Sequence, residues 1–175
     1  GPWAMPMDVW CKARIRKIAR RARGAQWVAA QEVWGLTVTE GFAQARALVP
    51  GRVGEVDRRI SRLQIGGTDL AGEVSSSADV NGVILWLNPA VTMTVGKAAA
   101  QVGHAAMLAV KLMDAAHARA WRSAGCPLSV RAATPQQYAA LLDSETRGEA
   151  VAVRDAGFTE VAPGSVTVIT QVTER

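Results

Sequence analysis

Three polar side chains recur at helical spacing in a stretch otherwise built from small and apolar residues. In Thr94-Val95-Gly96-Lys97-Ala98-Ala99-Ala100-Gln101-Val102-Gly103-His104-Ala105, residues Lys97, Gln101 and His104 stand at i, i+4 and i+7. They therefore share one helix face, while the alanines and glycines let the back of the helix press against a sheet. Lys97 in a first turn faces the positive end of the helix dipole, at a cost of about 0.3–1 kcal/mol. That cost is offset where an anion is to be held, because free N–H groups at a helix start already favour phosphate. A solvated surface lysine is the plain alternative. His104 reads either as a general acid or as a structural hydrogen-bond donor. His117 falls thirteen residues further on, within the same predicted helix.

A second polar cluster runs from Arg154-Asp155-Ala156-Gly157-Phe158-Thr159-Glu160 through Ala162-Pro163-Gly164-Ser165-Val166-Thr167. Gly157 and Gly164 open backbone turns closed to other residues. Asp155 directly follows the apolar run Val151 to Val153, and Lys97 follows another, Val83 to Leu87. Ligand groups in open α/β sheets gather beyond the carboxyl ends of parallel strands. If these two strands are parallel, the ammonium and the carboxylate reach one sheet edge, although 58 positions separate them. Asp155 alone also suits an Asx-turn. No Ser-His-Asp spacing suggests a serine nucleophile, and Cys126, ahead of Pro127, has no evident base and reads as inert.

The elements that would carry these groups are legible in outline. Val83 to Leu87, Leu128 to Ala132, Val151 to Val153 and Val166 to Val172 read as strands. A long helix is predicted from Thr94 to about Ala124. Thr134-Pro135-Gln136-Gln137 has the N-cap, proline and glutamine of a capping box, opening a helix through Leu142. The order β-α-β-α-β-β indicates an α/β domain. Upstream, Leu36 to Thr39 and Gln44 to Val49 predict a hairpin turning at Glu40-Gly41. Val56, Ile60 and Leu63 predict a short amphipathic helix, and Trp27 and Trp34 are expected in a core. The Gly-, Ser- and Asp-rich stretch 66–82, centred on Ser75-Ser76-Ser77, reads as a loop or linker. It divides a basic extension, residues 1–78, from an α/β domain, residues 79–175.

The extension opens with seven cations, Lys12, Arg14, Arg16, Lys17, Arg20, Arg21 and Arg23, while Ile15, Ile18 and Ala22 keep helical spacing. A basic amphipathic helix is predicted, suited to an RNA backbone or to an acidic protein partner. Across all 175 residues the net charge is +5 and the sequence pI about 9.9, which again points to an anionic partner. With 49% hydrophobic residues the chain has the means to bury a core and is not of disordered composition. Two distant cysteines, Cys11 and Cys126, lack zinc-ligand spacing and read as reduced thiols of a cytoplasmic protein. No secretory leader or membrane-spanning run is evident.

Gly-Lys-Ala-Ala-Ala-Gln-Val-Gly-His-Ala at 96–105 resembles the first-helix motif of the type-two peptidyl-tRNA hydrolases. Asp155-Ala-Gly-Phe-Thr159 with Ala162-Pro-Gly164 and Thr167-Val resembles the same family's second motif, in the same order. The resemblance covers about residues 80 to 172. It implies a mixed four-stranded sheet flanked by helices on both faces. It also implies hydrolysis of peptidyl-tRNA without metal or other cofactor, with tRNA as partner and a homodimer as an open question. It makes Lys97, Asp155 and Thr159 central to activity, and Gln101, His104, Gly157, Gly164 and Thr167 part of the cleft. Two departures stand out: Glu160 replaces the family's usual glutamine, adding a negative charge near an RNA site, and Phe158 replaces a polar residue. On this reading Asp155 orients or deprotonates a water, and Lys97 lowers its pKa and holds a phosphate or oxyanion. A non-catalytic RNA- or protein-binding module on the same fold is the competing expectation.

Overall fold

A computed structural model describes residues 3–13, 17–66, 82–158 and 160–173. The chain divides into two compact units, Gly1–Gly67 and Thr68–Arg175. The serine-rich segment and the boundary expected near residue 79 lie outside the described residues.

The first unit contains helices α1 (Ala4–Lys12) and α2 (Ala25–Gln31), strands β1 (Gly35–Glu40) and β2 (Ala43–Leu48), and a single-turn helix α3 (Arg58–Ser61). The hairpin forms, but Glu40 is a strand residue paired with Ala43, so the turn is Gly41-Phe42, with Gly41 at φ +55°, one residue beyond the expected Glu40-Gly41. Arg46 fastens it to the chain after α2, donating to the Thr37 hydroxyl at 2.7 Å and to the Val33 carbonyl at 2.5 Å. A small core gathers Ala30, Ile60 and Leu63, with Ala22, Val33 and Leu48 packed against it.

Three expectations for this unit are corrected. The basic run does not form one helix: α1 ends at Lys12, and residues 17–23 are not helical, with Arg21 bridging to Gln64. Arg14 and Arg16 lie outside the described residues. Like charges at i, i+4, such as Lys17 and Arg21, oppose a helix. Contacts distant in sequence then hold this segment. The Arg21 N–H donates to the Gln64 carbonyl at 2.9 Å, and the Arg20 guanidinium donates to the Ser61 and Leu63 carbonyls at 3.0 Å each. Helix α3 is only one turn long, and Val56 is exposed while Ile60 and Leu63 are buried. Trp34 is not a core residue: it is 54% exposed and meets Trp3 edge-on, with ring centroids 6.2 Å apart.

The second unit is an α/β domain: β3 (Val83–Leu87), α4 (Val95–Leu108), α5 (Ala115–Ser123), β4 (Leu128–Ala132), α6 (Pro135–Thr146), β5 (Ala150–Arg154) and β6 (Val166–Val172). The strands pair in the order β4-β3-β6-β5. β3 and β4 are parallel, and β6 runs antiparallel to both β3 and β5. It follows that β3, β4 and β5 point the same way and end on one edge. Alternation along the strands feeds two cores. Val83, Leu85, Val153 and Val168 meet Ala105 and Ala109 on one face, with Trp121 of α5 packed there too. Ala150, Ala152 and Ile169 meet Tyr138 and Leu141 of α6 on the other. Helices therefore cover both faces, and none of those described is long and apolar enough to cross a membrane.

The predicted long helix is two helices. After α4 comes a 3₁₀ turn, Ala109–Leu112, then extended Met113, and Asp114 caps α5 by accepting the His117 N–H at 2.7 Å. A carboxylate side chain that offers its own acceptor to the backbone starts a new helix here. His117 consequently sits on α5 and not on the helix of His104. The capping box of α6 is present, with Thr134 and Gln137 bonding reciprocally, and the helix continues past Leu142 to Thr146.

Candidate active site

The sheet edge defined by the carboxyl ends of β3 and β5 carries a buried ion pair. Thr94 caps α4, its hydroxyl accepting the Lys97 N–H at 3.4 Å. This start places Lys97 in the first turn, and its ammonium lies 2.6 Å from Asp155 Oδ2, with both side chains about one-tenth exposed. One turn further along α4, Gln101 is fully buried and donates through Nε2 to the same oxygen. Its own Oε1 is buried with no hydrogen-bond partner. His104 continues the stripe and is half-buried.

Asp155 is held as firmly from its own side. Its Oδ1 accepts the Gly157 N–H at 2.8 Å, so the Asx-turn geometry and the ion pair coexist in one carboxylate. Its backbone N–H donates to the Ser165 carbonyl, and its carbonyl accepts the Gly164 N–H, closing the neck of the 155–165 loop. Gly157 has φ +76°, and a Cβ there would lie 2.4 Å from Pro163 Cγ. No residue but glycine fits between that turn and the proline.

A β-bulge aims this loop. Val153 pairs with Val168 but Arg154 pairs with Val166, leaving Thr167 as the extra residue. Thr167 is fully buried, and its hydroxyl donates to the Val153 carbonyl at 3.3 Å. Its bonding is to the sheet backbone and not to the Asp155 carboxylate. The bulge is further fixed by the Val166 carbonyl, which accepts from Asn88 Nδ2 at 2.7 Å and from the Tyr138 hydroxyl at 3.1 Å. Glu160, the departure noted in the sequence, accepts both the N–H and the hydroxyl of Thr94, joining the loop to the start of α4. Thr159 lies outside the described residues, and Phe158 is half exposed.

Sequence reasoning singled out Lys97, Gln101, Asp155, Gly157 and Gly164, and the structure brings these together. It missed Thr94, Asn88 and Tyr138 as positioning groups. Thr94 did carry a signal, being an N-cap residue three positions before Lys97. The seven N-terminal cations belong to the first unit. There Lys12 pairs with Asp8 at 2.7 Å, Arg20 and Arg21 bind backbone of that unit, and Arg23 is exposed.

The electrostatics follow from these contacts. Burial pushes the Asp155 carboxyl up, but the Lys97 ammonium, the Gly157 N–H and the Gln101 amide together outweigh it. The group is held below its ordinary value and remains ionised. Tyr138 moves the other way, with burial pushing its hydroxyl up to about 12, so it stays a neutral donor to Val166. The arrangement is a fixed carboxylate beside a fixed cation at a loop-lined sheet edge. It can orient a water and attract an anionic group.

No curated protein sequence matches the chain. A family model, peptidyl-tRNA hydrolase PTH2, matches residues 82–172. That span exceeds half the chain and takes in β3 through β6 with both partners of the ion pair, and on this ground the chain belongs to the peptidyl-tRNA hydrolase PTH2 family.

Proposed function

We propose that this protein hydrolyses the ester bond joining a peptide, or an N-blocked amino acid, to the 3′ end of tRNA, in the cytoplasm alongside translation. The observation that carries the reading is the Lys97–Asp155 pair at the common carboxyl edge of β3 and β5, inside the matched span. Asp155 Oδ2 is occupied by Lys97 and Gln101, while Oδ1 accepts only the Gly157 N–H among the described contacts. A carboxylate oxygen has two acceptor sites, so Oδ1 retains one for a water.

A carboxylate held this acidic is a weak base, and its main contribution is to fix the water for attack on the ester carbonyl. Attack forms the carbon–oxygen bond to water and breaks the bond to the ribose oxygen, which takes up the proton that the attacking water gives up and leaves as the tRNA 3′ hydroxyl. The Lys97 ammonium stabilises the oxyanion or a terminal phosphate. Thr159 is assigned beside them by resemblance. His104 follows on the same α4 face and is assigned to the substrate side of the cleft by resemblance. The Asp155→Asn variant tests the reading by release of an N-blocked amino acid from tRNA. Turnover should fall about 10²–10⁴-fold with circular dichroism unchanged. Near-normal turnover in that variant would overturn the role given to Asp155, and no release by the unaltered protein would overturn the hydrolase reading in favour of a non-catalytic RNA- or protein-binding module.

A further inference from the structure

We infer that Arg58 and Arg62 form a phosphate-binding site on the first unit that grips the body of the tRNA; this rests on the proposed substrate and extends it to a second contact. Arg58 lies in α3 and Arg62 is its C-terminal cap in helical conformation, so the two stand one turn apart on the same side. They border a shallow concavity of about 320 Å³ whose floor includes Ala25, Ala29 and Leu63. Arg59 lies at its rim but is already committed. It donates to Asp57 through Nε and Nη2 and to Glu32 through Nη1 at 2.8 Å. Those two carboxylates are thereby engaged. Neither Arg58 nor Arg62 has an ion-pair or hydrogen-bond partner for its guanidinium among the described residues.

Two like charges one turn apart, with no counter-ion among the described residues, repel each other. Each guanidinium presents a planar fork that matches phosphate oxygens and can stack on a sugar or base over an apolar floor. The distribution of charge over the chain favours a polyanion and assigns its grip to this unit. Residues 1–67 hold twelve of the twenty Lys and Arg but only five of the fifteen Asp and Glu. Residues 68–175 hold eight of the cations against ten of the carboxylates, so the hydrolase-like unit has no excess charge with which to hold a nucleic acid.

The test is fluorescence anisotropy of the full chain with labelled deacylated tRNA across a salt series, a readout that requires no hydrolysis. The R58Q/R62Q variant is compared with R119Q/R122Q, which removes the same charge from α5. Loss of two phosphate contacts should make the plot of log affinity against log salt shallower by about 1.4–1.8, and should weaken binding to all tRNA species alike. R119Q/R122Q should leave the slope unchanged. R58K/R62K guards against a folding defect: it should keep the slope and weaken binding, because an ammonium lacks the bidentate fork. An unchanged slope in R58Q/R62Q, an equal loss of slope in both glutamine variants, or full affinity in the lysine variant overturns the inference. Absence of ester cleavage in the unaltered protein, with these slopes as expected, would sink the hydrolase reading and leave the arginine site standing.

Discussion

Glu160 accepts the Thr94 N–H at 2.9 Å and the Thr94 hydroxyl at 2.7 Å, so the residue that caps α4 is itself held by the loop beyond β5. The same hydroxyl accepts the Lys97 N–H. One short chain of bonds thus ties the turn bearing the ammonium to the loop that follows the carboxylate. The negative charge at position 160 has a structural occupation, which the sequence presents only as an odd residue near an RNA site.

Removing either end of this clasp should loosen both. Thr94→Ala loses the cap, and Glu160→Ala loses two charge-assisted bonds at an exposed position. Each should cost about 1 kcal/mol in urea denaturation. The double variant should cost less than the sum. Glu160→Gln keeps one oxygen acceptor and should lose less than Glu160→Ala. Strict additivity of the two alanine changes would show that the clasp does not couple them.

The low Asp155 pKa fixes the sign of a pH effect. A depressed carboxyl contributes stability that is present above its unfolded value, about 3.9, and is lost as pH falls through the lower folded value. In the unaltered protein, kcat/KM should therefore show no acid limb from this group between pH 5 and 7, by about the ordinary carboxyl range. In Lys97→Met, burial is opposed only by the Gly157 N–H and the Gln101 amide. The carboxyl then rises, and an acid limb should move up the pH axis. Identical acid limbs in both proteins would refute the assignment.

Gln101 should separate stability from turnover. Its Nε2 supports the Asp155 carboxylate while its Oε1 is buried without a partner. Gln101→Met removes a bond to a charged group, a loss of about 1.5–3 kcal/mol, and also an unsatisfied acceptor, a gain of about 1–3 kcal/mol. The thermal midpoint should shift little. Turnover should fall by about tenfold or more, since 1.4 kcal/mol of lost support for the site is already tenfold. A large loss of stability with turnover intact would make Gln101 a structural residue only.

Two glycines at positive φ should respond unequally. Gly157→Ala meets both an unfavourable φ of +76° and Pro163 at 2.4 Å, whereas Gly164→Ala meets only φ +81° in open space. The second should cost about 1–2 kcal/mol. The first should cost more, and because the Gly157 N–H holds Asp155 Oδ1 it should lower turnover as well. Thermal unfolding and turnover of both variants would check the order.

What the sequence makes legible is what neighbours in the chain determine. The stripe of Lys97, Gln101 and His104, the capping box at Thr134 and the hairpin turn at Gly41 all depend on spacings of a few residues. The shared sheet edge followed from a conditional argument about parallel strands, and β3 and β5 do point the same way. Features set by distant partners were not legible. Arg20 and Arg21 look helical until residues 61–64 receive them. The bulge at Thr167 exists only in the register of β6 against β5. The break at Met113 was nearer to view, since Asp114 is an ordinary N-cap residue, but continuous alanine-rich composition on both sides conceals it.

One of the two inner strands of the four-stranded sheet, β6, is also the last of the four in chain order. As a chain emerges from the ribosome in sequence order, the β3–β4 pair and β5 must wait with open edges, sharing no bond with each other. The arrival of residues 166–172 closes the sheet in one step, and only then do Val166 and Ser165 take up the backbone that sets the carboxylate in place. The reactive edge therefore cannot be framed before that strand pairs, and a nascent chain short of it carries Lys97, Gln101 and Asp155 without the frame that makes them meet.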